Sequence, residues 1–113
     1  DVEVIVAYSR GDTILSPWKV VKLASERTMK IQSLLSKLSG YSYGCSPIST
    51  RNLFRLIEKE QPDIVNLHCI NANTVNMAAT IEYLKDRHIK TVLSIHAEFP
   101  YTGGCGHAYD CMK

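Results

Sequence analysis

Apolar and polar positions alternate in short blocks along this chain, and the blocks change period repeatedly. Val2-Glu3-Val4-Ile5-Val6-Ala7-Tyr8 is rich in β-branched residues and predicts a strand. Arg10-Gly11-Asp12 predicts a turn. Ser16-Pro17 has the form of an N-cap with proline at the first helical position. From Pro17 to Leu38, the apolar residues Val20, Val21, Ala24, Ile31, Leu34, Leu35 and Leu38 keep helical spacing, predicting one long helix with these residues inward. Gly40 to Pro47 breaks the pattern. A second helix is expected with Ser49 or Thr50 as cap and Leu53, Leu56 and Ile57 as its buried face, ending at Pro62.

Asp63-Ile64-Val65-Asn66-Leu67-His68 predicts a short strand that finishes on a histidine. Asn73 is the expected cap of a third helix, with Met77, Ala78, Ile81 and Leu84 facing inward and fraying near Arg87-His88. Thr91 to Ile95 predicts the last strand, followed by His96 and a loop. The order β-α-α-β-α-β implies one α/β domain over 1–113, a parallel sheet with right-handed crossovers. Parallel strands end on one edge, so His68 and His96 are expected on the same rim, where open α/β sheets hold their ligands.

Size and charge narrow the picture further. The chain has 113 residues, enough for one domain, and a formal net charge of +2. Basic residues do not cluster among aromatics, so nucleic acid is not an expected partner. No apolar run approaches the ~20 residues of a membrane span. Without a signal-peptide pattern, the four cysteines are read as reduced and the location as cytoplasmic. On a continuous helix, Lys19, Lys22, Glu26, Lys30, Ser33 and Lys37 would form one strip, either an ordinary solvated face or a surface for peripheral contact with anionic lipid.

The candidate chemistry collects after the last strand. His96 at a strand end can bind a hydroxyl or phosphate, or act as acid or base near neutral pH. Glu98 can pair with it, and Gly103-Gly104 permit close backbone approach to a ligand. No phosphate-binding GxGxxG or GxxxxGK[ST] occurs. Cys105, His107 and Cys111 read C-x-H-x3-C, three ligands where a structural zinc site needs four. Metal is therefore not expected, and these three are the weak candidates for it.

Two segments resemble a known family. Gln61-Pro62-Asp63-Ile64-Val65-Asn66-Leu67-His68 is similar to the "kPDIIHLH" element of family 4 glycosyltransferases. Ser94-Ile95-His96-Ala97-Glu98-Phe99-Pro100-Tyr101-Thr102-Gly103-Gly104-Cys105 resembles the "TLHDCWPFTGHC" element of a subset that builds colanic acid and other bacterial surface polysaccharides. Ala97 stands where that pattern has aspartate, and Asn71 where the family has a second histidine.

The resemblance implies a partial Rossmann-like domain, the N-terminal, acceptor-side half of a GT-B fold lacking its first strand. It implies a retaining transferase whose nucleotide-sugar donor is held by a second domain, with a glycan or lipid-linked acceptor, in the cytoplasm or at the inner face of the cell membrane. His96 would be the catalytic-site histidine. His68, Glu98, Thr102, Gly103 and Gly104 would bind substrate, and the chain itself would carry no cofactor. A sheet lacking an internal strand would also either self-associate as a homo-oligomer or close by pairing Val2–Tyr8 with Ile64–Leu67. The competing class is a small α/β binding module using Cys105, His107 and Cys111 to hold metal.

Overall fold

The computed structural model describes residues 2–12, 15–40, 46–68 and 74–95. Their elements run β1 (Ile5–Tyr8), β2 (Lys19–Lys22), α1 (Glu26–Ser39), α2 (Pro47–Glu60), β3 (Ile64–His68), α3 (Met77–Asp86) and β4 (Lys90–Ser94). This is a small α/β domain of parallel strands flanked by helices.

The expected helix from Pro17 is not formed. Lys19–Lys22 is instead a strand paired in parallel with β1, in the register Ile5↔Lys19 to Tyr8↔Lys22. Val20 and Val21 are β-branched and half-buried, and β1 supplies the partner that isolated periodicity cannot reveal. Leu23 N–H extends the ladder to Tyr8 O at 2.8 Å. The helix starts nine residues later than Ser16-Pro17 implied: Ser25 Oγ accepts from Thr28 N–H at 3.2 Å, and Gly40 ends α1 at φ 68°. The proposed lysine strip does not exist as one helix face, because Lys19 and Lys22 belong to β2. Lys19 pairs with Glu60, and Lys22 with Glu26 at 3.0 Å.

Two further caps shift. Ser46 rather than Ser49 or Thr50 precedes α2, with Pro47 in its first turn. Asn76 rather than Asn73 caps α3, its Oδ1 accepting from Ala79 N–H at 3.0 Å. Ala78 and Ile81 face outward, while Thr80 and Leu84 are buried. The same holds more strongly for α1. Met29, Gln32 and Ser36 are buried, whereas the expected inward residues Ile31, Leu34, Leu35 and Leu38 are 57%, 57%, 47% and 76% exposed.

β3 and β4 pair in parallel from Ile64↔Lys90 to His68↔Ser94. The described strands thus form two parallel pairs, β1–β2 and β3–β4, rather than one continuous sheet. β1 does not pair with β3, so the expected closure of the gap by Val2–Tyr8 against Ile64–Leu67 is not the arrangement seen.

All four strands nonetheless point the same way. Lys19, at the start of β2, is held by Glu60 at the end of α2. Asn52, in the first half of α2, donates to Leu23 O beyond the end of β2 at 2.7 Å. α2 therefore runs antiparallel to β2, and three residues later the chain reverses into β3. Gln61 makes that reversal with φ 47°, its N–H bonded to Ile57 O at 2.9 Å. The core joins Leu53 and Ile57 of α2, Leu67 of β3 and Leu84 of α3 with Leu23 and Val75. Phe54 of α2 and Tyr83 of α3 stack with ring centroids 4.0 Å apart. Burial pushes the Tyr83 phenol above its ordinary range.

Candidate functional site

Because the strands are parallel, their C-terminal ends share one rim. β3 delivers His68 to that rim, and β4 ends beside it at Ser94. The strand leading to His96 therefore finishes on the same edge as His68, as the sequence implied. His96 itself lies outside the described residues, as do Glu98, Thr102, Gly103, Gly104, Cys105, His107 and Cys111. Among the described residues, no cluster of three or more His, Cys, Asp or Glu is placed to hold a metal ion.

His68 does not stand alone. Successive residues of a strand face opposite ways, so Asn66 and His68 share a face, and the register adds Val92 and Ser94 to it. Ser94 Oγ donates to Asn66 Oδ1 at 3.0 Å. Asn66 Nδ2 lies 3.0 Å from His68 Nε2. An amide NH2 can only donate, so the imidazole accepts at Nε2 and its neutral form carries the proton on Nδ1. A Ser–Asn–His chain thus runs across the ends of β3 and β4 and orients the imidazole. Asn66 and Ser94 carry no motif of their own. Their part becomes visible only when the period-2 pattern is combined with the β3–β4 register.

The same rim gathers the N-termini of two helices. Ser46 makes no side-chain cap bond to α2. Gln32 of α1 supplies the acceptor instead, its Oε1 taking Ile48 N–H at 3.1 Å and Ser49 N–H at 3.4 Å. Its Nε2 donates to Ser49 Oγ at 3.2 Å, so the fully buried amide is satisfied at both ends. Thr50 Oγ1 accepts from Asn76 N–H at 2.8 Å, tying α2 to the start of α3.

Below the rim, a groove of about 210 Å3 runs between β1 and β3. Ile5, Ala7 and Ser9 form one wall and Ile64 to His68 the other, with Leu53, Leu56 and Ile57 of α2 as floor. Ser9 is 2% exposed, and its Oγ has no hydrogen-bond partner. Neither Gln32 nor Ser9 carried a sequence signal, since a lone polar residue among apolar neighbours does not announce its burial.

Compared with known proteins, the chain matches no family model, no curated protein and no solved structure. Among the described residues, no helix is long and apolar enough to cross a membrane.

Proposed function

We propose that this chain is the acceptor-side part of a retaining glycosyltransferase, a Rossmann-like half of a GT-B enzyme that builds bacterial surface polysaccharide from a nucleotide sugar. The observation that carries this reading is the pairing of β3 with β4. It sets His68, the end of the P-D-I-V-N-L-H segment, opposite Ser94, two residues before the H-x-x-F-P-Y-T-G-G-C segment begins in the sequence. In that scheme, His68 and His96 act from one rim, His68 held in orientation by Asn66 and His96 as the catalytic histidine. Glu98, Thr102, Gly103 and Gly104 line the acceptor side. The protein's task is to position the two sugars and stabilise the departing diphosphate, with the donor held by a second domain. The acceptor is a glycan or lipid-linked sugar, met in the cytoplasm at the inner face of the cell membrane.

The test is a nucleotide-sugar screen on the full-length protein with lipid-linked acceptors. His96→Ala should lower turnover by roughly 10²-fold or more, as expected for a positioned acid, base or hydrogen-bonding group. The 113-residue chain alone should transfer nothing, because one reactant is not held. Unchanged kinetics in the variant, or transfer by the chain alone, would overturn this assignment.

A further inference from the structure

The ends of β3 and β4 carry their polar groups on the face turned away from the helices. Leu67, between Asn66 and His68, packs with Leu53, Ile57 and Leu84 in the core. Alternation along the strand puts Asn66 and His68 on the opposite face. The register sets Ser94 opposite His68 and Val92 opposite Asn66. Ser94 and Asn66 are thus diagonal neighbours across the ladder, close enough for their side chains to meet. The bonds from Ser94 Oγ to Asn66 Oδ1 and from Asn66 Nδ2 to His68 Nε2, both 3.0 Å, join the three. Every member stands on a strand, so the chain of bonds is set by the β3–β4 ladder rather than by a loop.

The polarity of these bonds has a chemical consequence for His68. An amide side chain has one end that only donates and one that only accepts. With Ser94 Oγ–H on Oδ1, the donating end is the one that meets the ring. The lone pair at Nε2 is then engaged and can take up neither a substrate proton nor a metal ion. The ring proton sits on Nδ1, so any group meeting that nitrogen, from this chain or from a bound molecule, has to accept. Turning the amide over would reverse every step. Ser94 would accept, the ring proton would sit on Nε2, and Nδ1 would be the basic atom. The two polarities exclude each other, and each gives His68 a different task.

We propose that Asn66 and Ser94 are positioning residues that make His68 a hydrogen-bond donor to oxygen, through Nδ1, and withhold it from acid–base exchange. At a rim that holds a sugar, His68 orients a hydroxyl or phosphate oxygen and takes no part in proton transfer. That task rests on the transferase reading, whereas the polarity of the bonds does not. Asn66 is then the residue that decides the chemistry: in Asn66→Asp the side chain only accepts, and the ring proton is drawn to Nε2.

Nitrogen NMR of the histidine rings tests it on the 113-residue chain. At about pH 8.5 an ordinary histidine is neutral, so each ring nitrogen shows whether it carries the proton. His68→Asn identifies the His68 resonances by their loss. The expected result is a protonated Nδ1 and an unprotonated Nε2, with a tautomer ratio about threefold to tenfold above that of Asn66→Ala, the worth of one such bond. Ser94→Ala should lower the ratio, and Asn66→Asp should invert it. A protonated Nε2 in the parent chain overturns the proposal without recourse to any variant, as does a ratio unmoved by Asn66→Ala. In the full-length protein, His68→Asn keeps an N–H donor at the place of Nδ1 and should retain at least about tenfold more transfer than His68→Ala. Equal loss in the two would refute the donor role. Absence of transfer by the unsubstituted protein would instead remove the transferase reading, and the ring spectrum would still decide the polarity.

Discussion

α1 and α2 are each 14 residues long, yet only α2 turns its apolar stripe into the core. α2 turns Leu53 and Ile57 into the core, with Leu56 packed against it. α1 turns in Met29, Gln32 and Ser36 and leaves Ile31, Leu34, Leu35 and Leu38 toward solvent. Both sequences have a helical apolar stripe. What separates them is the start of α2, where Ser46 provides no side-chain cap and Gln32 reaches across to provide one. The hydrogen bonds of a buried helix end fix the rotation of α1 against its own apolar period. Periodicity tells which residues share a face, not which face is docked.

The sharpest test of that contrast sets the two stripes against each other. Ile57→Ala should cost about 2–5 kcal/mol in urea unfolding, as for a buried aliphatic truncation. Leu38→Ala should stay within about 0.5 kcal/mol, as for an exposed site. Equal costs would mean that the α1 stripe is covered in solution. Next comes the amide itself. Gln32→Leu keeps the bulk but leaves the Ile48 and Ser49 N–H groups without their acceptor, and should cost about 1–3 kcal/mol. A neutral result would show that α1 is oriented by something other than this cap.

A smaller effect is expected at the start of α1. Ser25→Ala removes the acceptor for Thr28 N–H, at a cost of about 1 kcal/mol in the same assay. The smallest is electrostatic. The hydrogen bond from Lys19 holds the Glu60 carboxyl below its ordinary value of 4.5. A depressed carboxylate contributes its stability above the unfolded-state value and loses it as pH falls through the folded one. Melting temperatures followed downward from neutral pH should therefore fall slightly less steeply in Lys19→Met than in the parent chain. The pair is exposed, so the difference should be slight.

Much of the second half of the chain was legible in its sequence. β3, the buried face of α2 and the strand at the end of the described region each follow from short apolar runs, although the cap of α3 falls at Asn76 rather than at Asn73. In the first half β1 was legible as a β-branched run, but β2 and the start of α1 were not. Val20, Val21 and Ala24 satisfy a helical period and a strand equally, and only the nearby edge of β1 decides between them. Of the site, His68 could be found as the residue on which a strand stops. Asn66 and Ser94 required the register, and Ser9 and Gln32 required knowledge of what surrounds them.

The continuity of β3, α3 and β4 along the chain has a kinetic consequence. The two strands pair across one helix, so the loop that must close is short and its entropic cost small. The stretch also brings its own apolar partners, Val65, Leu67, Met77, Tyr83, Leu84 and Ile89. β1 and β2 gain their place through contacts with α2 such as Lys19–Glu60 and Asn52–Leu23. Substitutions in β3–α3–β4 should slow refolding, while those in β1–β2 should mainly hasten unfolding. The pair that precedes α2 along the chain would then be the last to settle.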